Sequence, residues 1–218
     1  MLTAVGYTEF IQMLHGATSA VRENAARLSA LDTAIGDGDH GVTMLRAVGR
    51  LDDVVAKASG ADLKGLLSDI GWALLGIDGG ATGPLLGSWF MGMADGAIPP
   101  PLDAAALAAA FEAGLASVRE QTKAKVGDKT MMDALIPATE TLREGADHGL
   151  SIDEVLRLAA EAAERGAAST AEMTARFGRA RNLGERTKGT ADPGATSMSV
   201  MFRGFYVGLT QPVATAAH

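Results

Sequence analysis

The chain has 218 residues, 47% hydrophobic and 21% charged, enough for one globular domain with a sizeable core and unlike a disordered segment. Its net charge of −7 excludes a general nucleic-acid binder, so any phosphate ligand must be held locally by metal, backbone amides or a few basic residues. The absence of cysteine excludes disulfides, thiolate-bound zinc and thiol catalysis, in keeping with a cytoplasmic chain.

Residues Met1 to Gly6 carry no basic segment and do not read as a signal peptide. Phe10, Leu14, Ala17, Val21, Ala25 and Leu28 recur at helical spacing, which predicts a first helix capped at Thr8. At its end stands Leu31-Asp32-Thr33-Ala34-Ile35-Gly36-Asp37-Gly38-Asp39-His40-Gly41, with Asp32, Asp37 and Asp39 close together in sequence. Flanking glycines let such a loop fold tightly, and two unit charges about 4 Å apart repel by roughly 4 kcal/mol at an effective dielectric near 20. Three converging carboxylates therefore need a cation, and hard oxygen ligands suit Mg²⁺ or Ca²⁺. Gly36, Gly38 and Gly41 also spell G-x-G-x-x-G. A dinucleotide fingerprint needs a preceding strand and a bare pyrophosphate, whereas this run follows a helix and carries aspartate. An EF-hand lacks its bidentate glutamate, because Val48 stands in that place. Alone, the run also reads as an acidic turn leading into a helix.

Val42, Leu45, Val48, Leu51 and Val55 predict the second helix, and Leu63, Leu66, Leu67, Ile70 and Leu74 the third. Asp78-Gly79-Gly80-Ala81-Thr82-Gly83-Pro84 follows, with Pro84 expected at the first helical position. Free amides at a helix N-terminus beside a hydroxyl bind phosphate, although alone this is a flexible turn, and no Walker A run is present. Leu85, Leu86, Trp89, Phe90 and Met93 predict the fourth helix, within an uncharged stretch from Gly79 to Met93 that is too short and too rich in Gly and Pro to cross a bilayer. Beyond Pro99-Pro100-Pro101, Leu107, Phe111, Leu115 and Val118 give the fifth. Lys125-Val126-Gly127-Asp128-Lys129-Thr130-Met131-Met132-Asp133 reads as a capped helix start, with Thr130 and Asp133 as the capping pair. Met131, Ala134, Leu135, Ala138 and Leu142 continue it as the sixth helix. Val155, Leu156 and Ala159 open a seventh, extended past Met173. The basic run from Gly178 to Gly194 ends in Asp192-Pro193, an N-cap followed by a first helical residue. Met198, Met201, Phe202 and Phe205 give the eighth, before a loose tail from about 210 to 218.

No segment alternates as a strand, no linker divides the chain, and His15, His40, His148 and His218 form no H-E-x-x-H or Glu-x-x-His pair. The expectation is an all-α single domain over residues 1–218, a bundle of about eight antiparallel helices. In such a bundle the connections between helices one and two, three and four, five and six, and seven and eight fall at one end. That pole gathers carboxylates, glycine-rich amides, hydroxyls and arginine, the inventory for a metal-bridged nucleotide.

At these four runs the chain resembles the nucleotide-binding L subunit of dihydroxyacetone kinase. The resemblance lies in Leu31-Asp32 through Gly41, Gly79-Gly80-Ala81-Thr82-Gly83-Pro84-Leu85, Gly127-Asp128-Lys129-Thr130-Met131, and Gly178-Arg179-Ala180 with Leu183-Gly184-Glu185-Arg186 and Asp192-Pro193-Gly194-Ala195-Thr196-Ser197. It implies a barrel of eight antiparallel helices with ADP or ATP at one end. Asp32, Asp37 and Asp39 would bind two Mg²⁺, and His40, Gly41, Val42, Thr43, Ala81 and Thr82 would meet the phosphates. Met131, Arg179 and the turn Asp192, Pro193 and Gly194 would help hold the nucleotide. Thr122 stands where the family can carry a glycine with a backbone contact, and Thr82 replaces a common serine. The family's hydroxyketone sits covalently on a histidine of a separate K subunit, so this chain would be half an enzyme, active only with that partner. In one branch resident ADP is rephosphorylated by a phosphotransferase-system M subunit, the expectation here. In the other, which includes erythrulose kinases, ATP is the donor. Two further readings stand beside it: a nucleotide-sensing module without activity of its own, and a Mg²⁺-dependent hydrolase that needs no partner. A homodimer is left open; nucleic-acid and membrane partners are not expected.

Overall fold

The computed structural model describes residues 2–97 and 99–211. Its α-helices are α1 (Tyr7–Ile35), α2 (His40–Lys57), α3 (Leu63–Leu75), α4 (Thr82–Gly96), α5 (Ala104–Gln121), α6 (Met132–Asp147), α7 (Ile152–Ser169) and α8 (Pro193–Thr210). Each helix packs on the next in sequence, and α8 closes back onto α1, so the all-α expectation resolves as a ring of helices. Among the described residues no helix is long and apolar enough to cross a membrane.

The apolar stripes read from the sequence face the interior. On α1, Phe10, Leu14, Ala17, Val21, Ala25 and Leu28 are all buried, a face repeating every three to four residues. The middle of the ring is filled by aromatics. Trp89 of α4 meets Phe111 of α5 edge-on with centroids 5.8 Å apart, and Phe111 meets Phe205 of α8 at 5.8 Å and 88°. Closure of the ring depends on glycine. A Cβ at Gly16 of α1 would stand 2.2 Å from the carbonyl oxygen of Gly204, and one at Gly208 would stand 2.2 Å from that of Gln12. These positions carry no side chain because the two backbones leave no room for one.

Helix starts follow local chemistry. Asp62, Asp103 and Asp192 each accept an amide hydrogen from the first turn, and Ser151 with Glu154 forms a capping box. Pro193 opens α8 behind Asp192, as its sequence predicts. Three expectations differ. Thr8 lies inside α1, whose N-cap is Gly6. Pro84 is not the first residue of α4, because Thr82 and Gly83 already turn helically after the N-cap Ala81. Helix α7 stops at Ser169 and continues only as a 3₁₀ turn, Thr170–Glu172, short of Met173. There the Ser169 and Thr170 hydroxyls donate back to the carbonyls of Gly166 and Ala167. Helix α8 runs through Thr210, where the tail is expected to begin, and residues 212–218 of that tail lie outside the described residues.

Candidate functional site

The four connections do meet at one end of the ring. They enclose a cavity of about 640 Å³ lined by Asp32, Asp39 and His40, by Gly79–Thr82, by Thr122 and Lys129–Met132, and by Arg179 and Asp192–Gly194. Met44, Leu85, Leu86, Met132 and Met198 give its deeper wall an apolar surface.

At the rim, oxygens of Asp32, Asp37 and Asp39 lie within 4.8 Å of one another. Asp32 belongs to the last turn of α1, and its Oδ2 accepts the His40 backbone N–H at 3.1 Å. Gly36 ends that helix, and a Cβ there would stand 2.2 Å from Asp32 Oδ1, so glycine leaves this carboxylate its place. Gly38, at φ 81°, turns the chain so that Asp37 and Asp39 come round beside Asp32. The donor set is all carboxylate, with no imidazole or sulfur, and the Asp37 and Asp39 side chains are 47% and 49% exposed. It fits Mg²⁺ or Ca²⁺, whose remaining sites take water and phosphate oxygens. The Arg179 guanidinium pairs with Asp37 and lies 3.8 Å from Asp39.

Inside the rim stand the N-termini of α2 and α4, whose first amides and dipoles favour an anion. Gly79 and Gly80 hold positive φ of 133° and 57°, which puts the chain entering α4 in conformations that suit glycine. His40 joins three elements: its Nε2 is 3.2 Å from Ser197 Oγ, and its Nδ1 is 3.5 Å from Thr82 Oγ1. Burial holds this imidazole below its ordinary pKa, against the opposing pull of the Asp32 charge and the Pro193 backbone. Met131 faces the Asp192-Pro193-Gly194 turn, since a Cβ at Gly194 would lie 3.5 Å from the Met131 amide nitrogen.

Most of the residues singled out in the sequence are brought together. Asp32, Asp39, His40, Ala81, Thr82, Thr122, Met131, Arg179, Asp192, Pro193 and Gly194 line the cavity, and Asp37 joins through the carboxylate cluster. Gly41, Val42 and Thr43 do not line it. Gly41 is pressed against α1, Val42 is 47% exposed on α2, and Thr43 is buried with its hydroxyl unpartnered just beneath Gly79. Two residues were not singled out. Ser197 is the His40 partner, 157 residues away in sequence. Counting the four connections at this end as α1–α2, α3–α4, α5–α6 and α7–α8, Lys129 is buried in the wall between the third and the fourth. Its only sequence signal is its place between Gly127 and Thr130.

Residues 34–207 match the family model described as the DAK2 domain. The chain is 39% identical over 177 residues to the PEP-dependent dihydroxyacetone kinase, ADP-binding subunit DhaL, of Escherichia coli strain K12, covering 81% of this chain and 84% of that protein. It is 36% identical over 198 residues to the L-erythrulose 1-kinase of Mycolicibacterium smegmatis, covering 87% of this chain but 33% of that one. The dihydroxyacetone kinase from C. freundii, solved in complex with AMP-PNP and Mg²⁺, superposes with a TM-score of 0.70 at 25% identity, over 94% of this chain and 34% of that one.

Proposed function

We propose, because the chain belongs to the DAK2 domain family, that it is the nucleotide-binding subunit of a cytoplasmic dihydroxyacetone kinase. It would present the phosphate of bound ADP or ATP to a hydroxyketone held on a separate K-type subunit. One observation carries this reading: three carboxylates converge at the mouth of a nucleotide-sized cavity built from four helix connections. The chain spans 84% of the E. coli ADP-binding subunit and about a third of the erythrulose and C. freundii kinases.

Asp32, Asp37 and Asp39 would hold two Mg²⁺, which when bound neutralise phosphate charge. The residues of this chain then have positioning work, which is what phosphoryl transfer demands of a protein. The first-turn amides of α4 would direct the phosphates, with the positive end of the α2 dipole beside them, and the Thr82 hydroxyl is held by His40. The His40 imidazole, engaged between Ser197 and Thr82, is an orienting group and not a base for the acceptor. The Arg179 guanidinium at the rim adds positive charge beside the carboxylate cluster. Met131, Met132 and Leu86 exclude water from the nucleoside end.

The relatives that match over most of their length support one donor. They are ADP-binding subunits named PEP-dependent or PTS-dependent, so resident ADP recharged by an M-type phosphotransferase-system subunit is the reading proposed. The erythrulose kinases support a second one, a kinase for another short ketose, with ATP proposed as its donor. Calorimetry of the isolated chain with ADP, with and without EDTA, tests the core of the proposal. Binding is expected to require the divalent cation, and affinity unchanged by EDTA would remove the metal-bridged site.

A further inference from the structure

Lys129 is a buried charge that the nucleotide reading leaves without a task. Its residue is 1% exposed, and its backbone sits at φ 60°, the left-handed region that suits glycine or asparagine. Burial holds the ammonium below its ordinary pKa, opposed by the negative charges of Asp192, Asp133 and Glu172. An apolar side chain would fill the space without desolvating a charge, and glycine would relieve the backbone.

The ammonium is spent on crosslinks. It donates to the carbonyl oxygen of Thr170, where α7 ends, and to that of Thr190, just ahead of Asp192. Thr170 is itself tied to the same turn, since its Oγ1 accepts the Asp192 N–H at 2.8 Å. The third connection is stiffened from within: Asp133 accepts the N–H groups of Gly127 at 2.6 Å and of Thr130 at 2.8 Å. A side chain anchored in a stiff loop thus grips the fourth connection beside the residues that line the cavity. Met131 follows Lys129 by two positions, and Asp192-Pro193-Gly194 follows Thr190 by the same step. The carboxylate cluster, by contrast, is assembled within the first connection.

We infer, resting on the nucleotide-binding reading above, that Lys129 is a positioning residue for the nucleoside half of the site: its ammonium clamps the fourth connection to the third, so that Met131 and the Asp192-Pro193-Gly194 turn close on base and ribose. It bears less on the metal and phosphate half, whose carboxylates stand on the first connection and which the fourth connection and α8 reach through Arg179 at Asp37 and Ser197 at His40.

Mg-ADP and Mg-pyrophosphate separate the two halves, because pyrophosphate carries the phosphates without a nucleoside. Their affinities for wild type, Lys129→Gly and Lys129→Met are to be measured by calorimetry, with a thermal melt of each. Lys129→Gly suits the backbone and removes the clamp. It should weaken Mg-ADP about tenfold or more while leaving Mg-pyrophosphate within about twofold, as misplacement confined to one half predicts. Lys129→Met should do the same at some cost in melting temperature. Equal Mg-ADP binding by wild type and Lys129→Gly would overturn the inference, as would parallel loss of both ligands. Failure of both variants to fold would assign Lys129 to general stability and overturn it too. If wild type bound no Mg-ADP, the nucleotide reading itself would fall, a result distinct from all of these.

Discussion

Replacing Asp39 with asparagine should stabilise the chain without ligand and remove most of its response to Mg-ADP. Asp39 is the N-cap of α2, but its side chain accepts no hydrogen bond from the first turn, so asparagine removes no cap and the helix start survives. With the cluster oxygens within 4.8 Å, each carboxylate pair repels by about 0.9 kcal/mol in water and ~3.5 kcal/mol at an effective dielectric of 20. Asp39 is half exposed, so the lower figure applies, and its two pairs sum to about 2 kcal/mol. Against this stand the Arg179 attraction at 3.8 Å, about 0–1 kcal/mol, and the helix-dipole term, about 0.5 kcal/mol. The net gain is about 1 kcal/mol, or a melting temperature raised by roughly 2–4 °C for a chain of this size. Mg-ADP reverses the order. At about 100 times the dissociation constant, ligand stabilises wild type by roughly 2.7 kcal/mol; a variant bound about a hundredfold more weakly gains only ~0.4 kcal/mol. The wild-type transition should then rise by roughly 5–11 °C and the variant's by about 1–2 °C. Scanning calorimetry with and without Mg-ADP reads both effects. A variant that melts below wild type without ligand, or that keeps the full ligand shift, would refute the reasoning.

The purified chain should not phosphorylate dihydroxyacetone until a K-type subunit is added; robust turnover by the single chain, followed by product formation, would contradict the division of labour. ADP should copurify at about one per chain and resist dialysis, as expected of a resident coenzyme whose affinity keeps it bound at low free concentration. Denaturing the protein, quantifying released nucleotide and following exchange with labelled ATP checks this, and rapid exchange favours the ATP-dependent form. Burial pushes the Asp192 carboxyl up to about 7, against the pull of the Ala195 N–H and the Lys129 charge. A carboxyl raised above its unfolded value near 3.9 contributes stability that is full below that value and is lost as pH climbs through about 7. Asp192→Asn keeps the cap and removes that slope, so its melting temperature relative to wild type should increase from pH 5 to pH 8; a constant difference would show that Asp192 stays ionised throughout.

The ring of helices was legible because each helix carries an apolar face at its own period, as on α1 from Phe10 to Leu28 and on α8 from Met198 to Phe205. The site was legible through connectivity: antiparallel helices put alternate connections at one end, and those connections held the unusual residues. What escaped depended on distant partners. Lys129 reads as a surface charge inside a capped helix start, and the carbonyls that bury it lie 41 and 61 residues away. The end of α7 was misplaced for the same reason. Ala171 and Met173 can continue a helix locally, but Thr170 is engaged by Lys129 and Asp192. For α4, local preference puts Pro84 at the first helical residue, but Thr82 and Gly83 join the helix ahead of it.

The glycine contact between α1 and α8 acts on the nucleotide end as the fulcrum of a lever. Gly16 lies about 24 Å along α1 from Asp32, and Gly204 about 18 Å along α8 from Asp192, at 1.5 Å of rise per residue. A methyl group at Gly16 or Gly208 would drive a wedge between backbones that leave 2.2 Å for it. Rigid arms would carry that wedge outward, swinging the carboxylates on one helix away from the α8 cap on the other. A substitution at residues that take no part in lining the site would thereby reach its alignment.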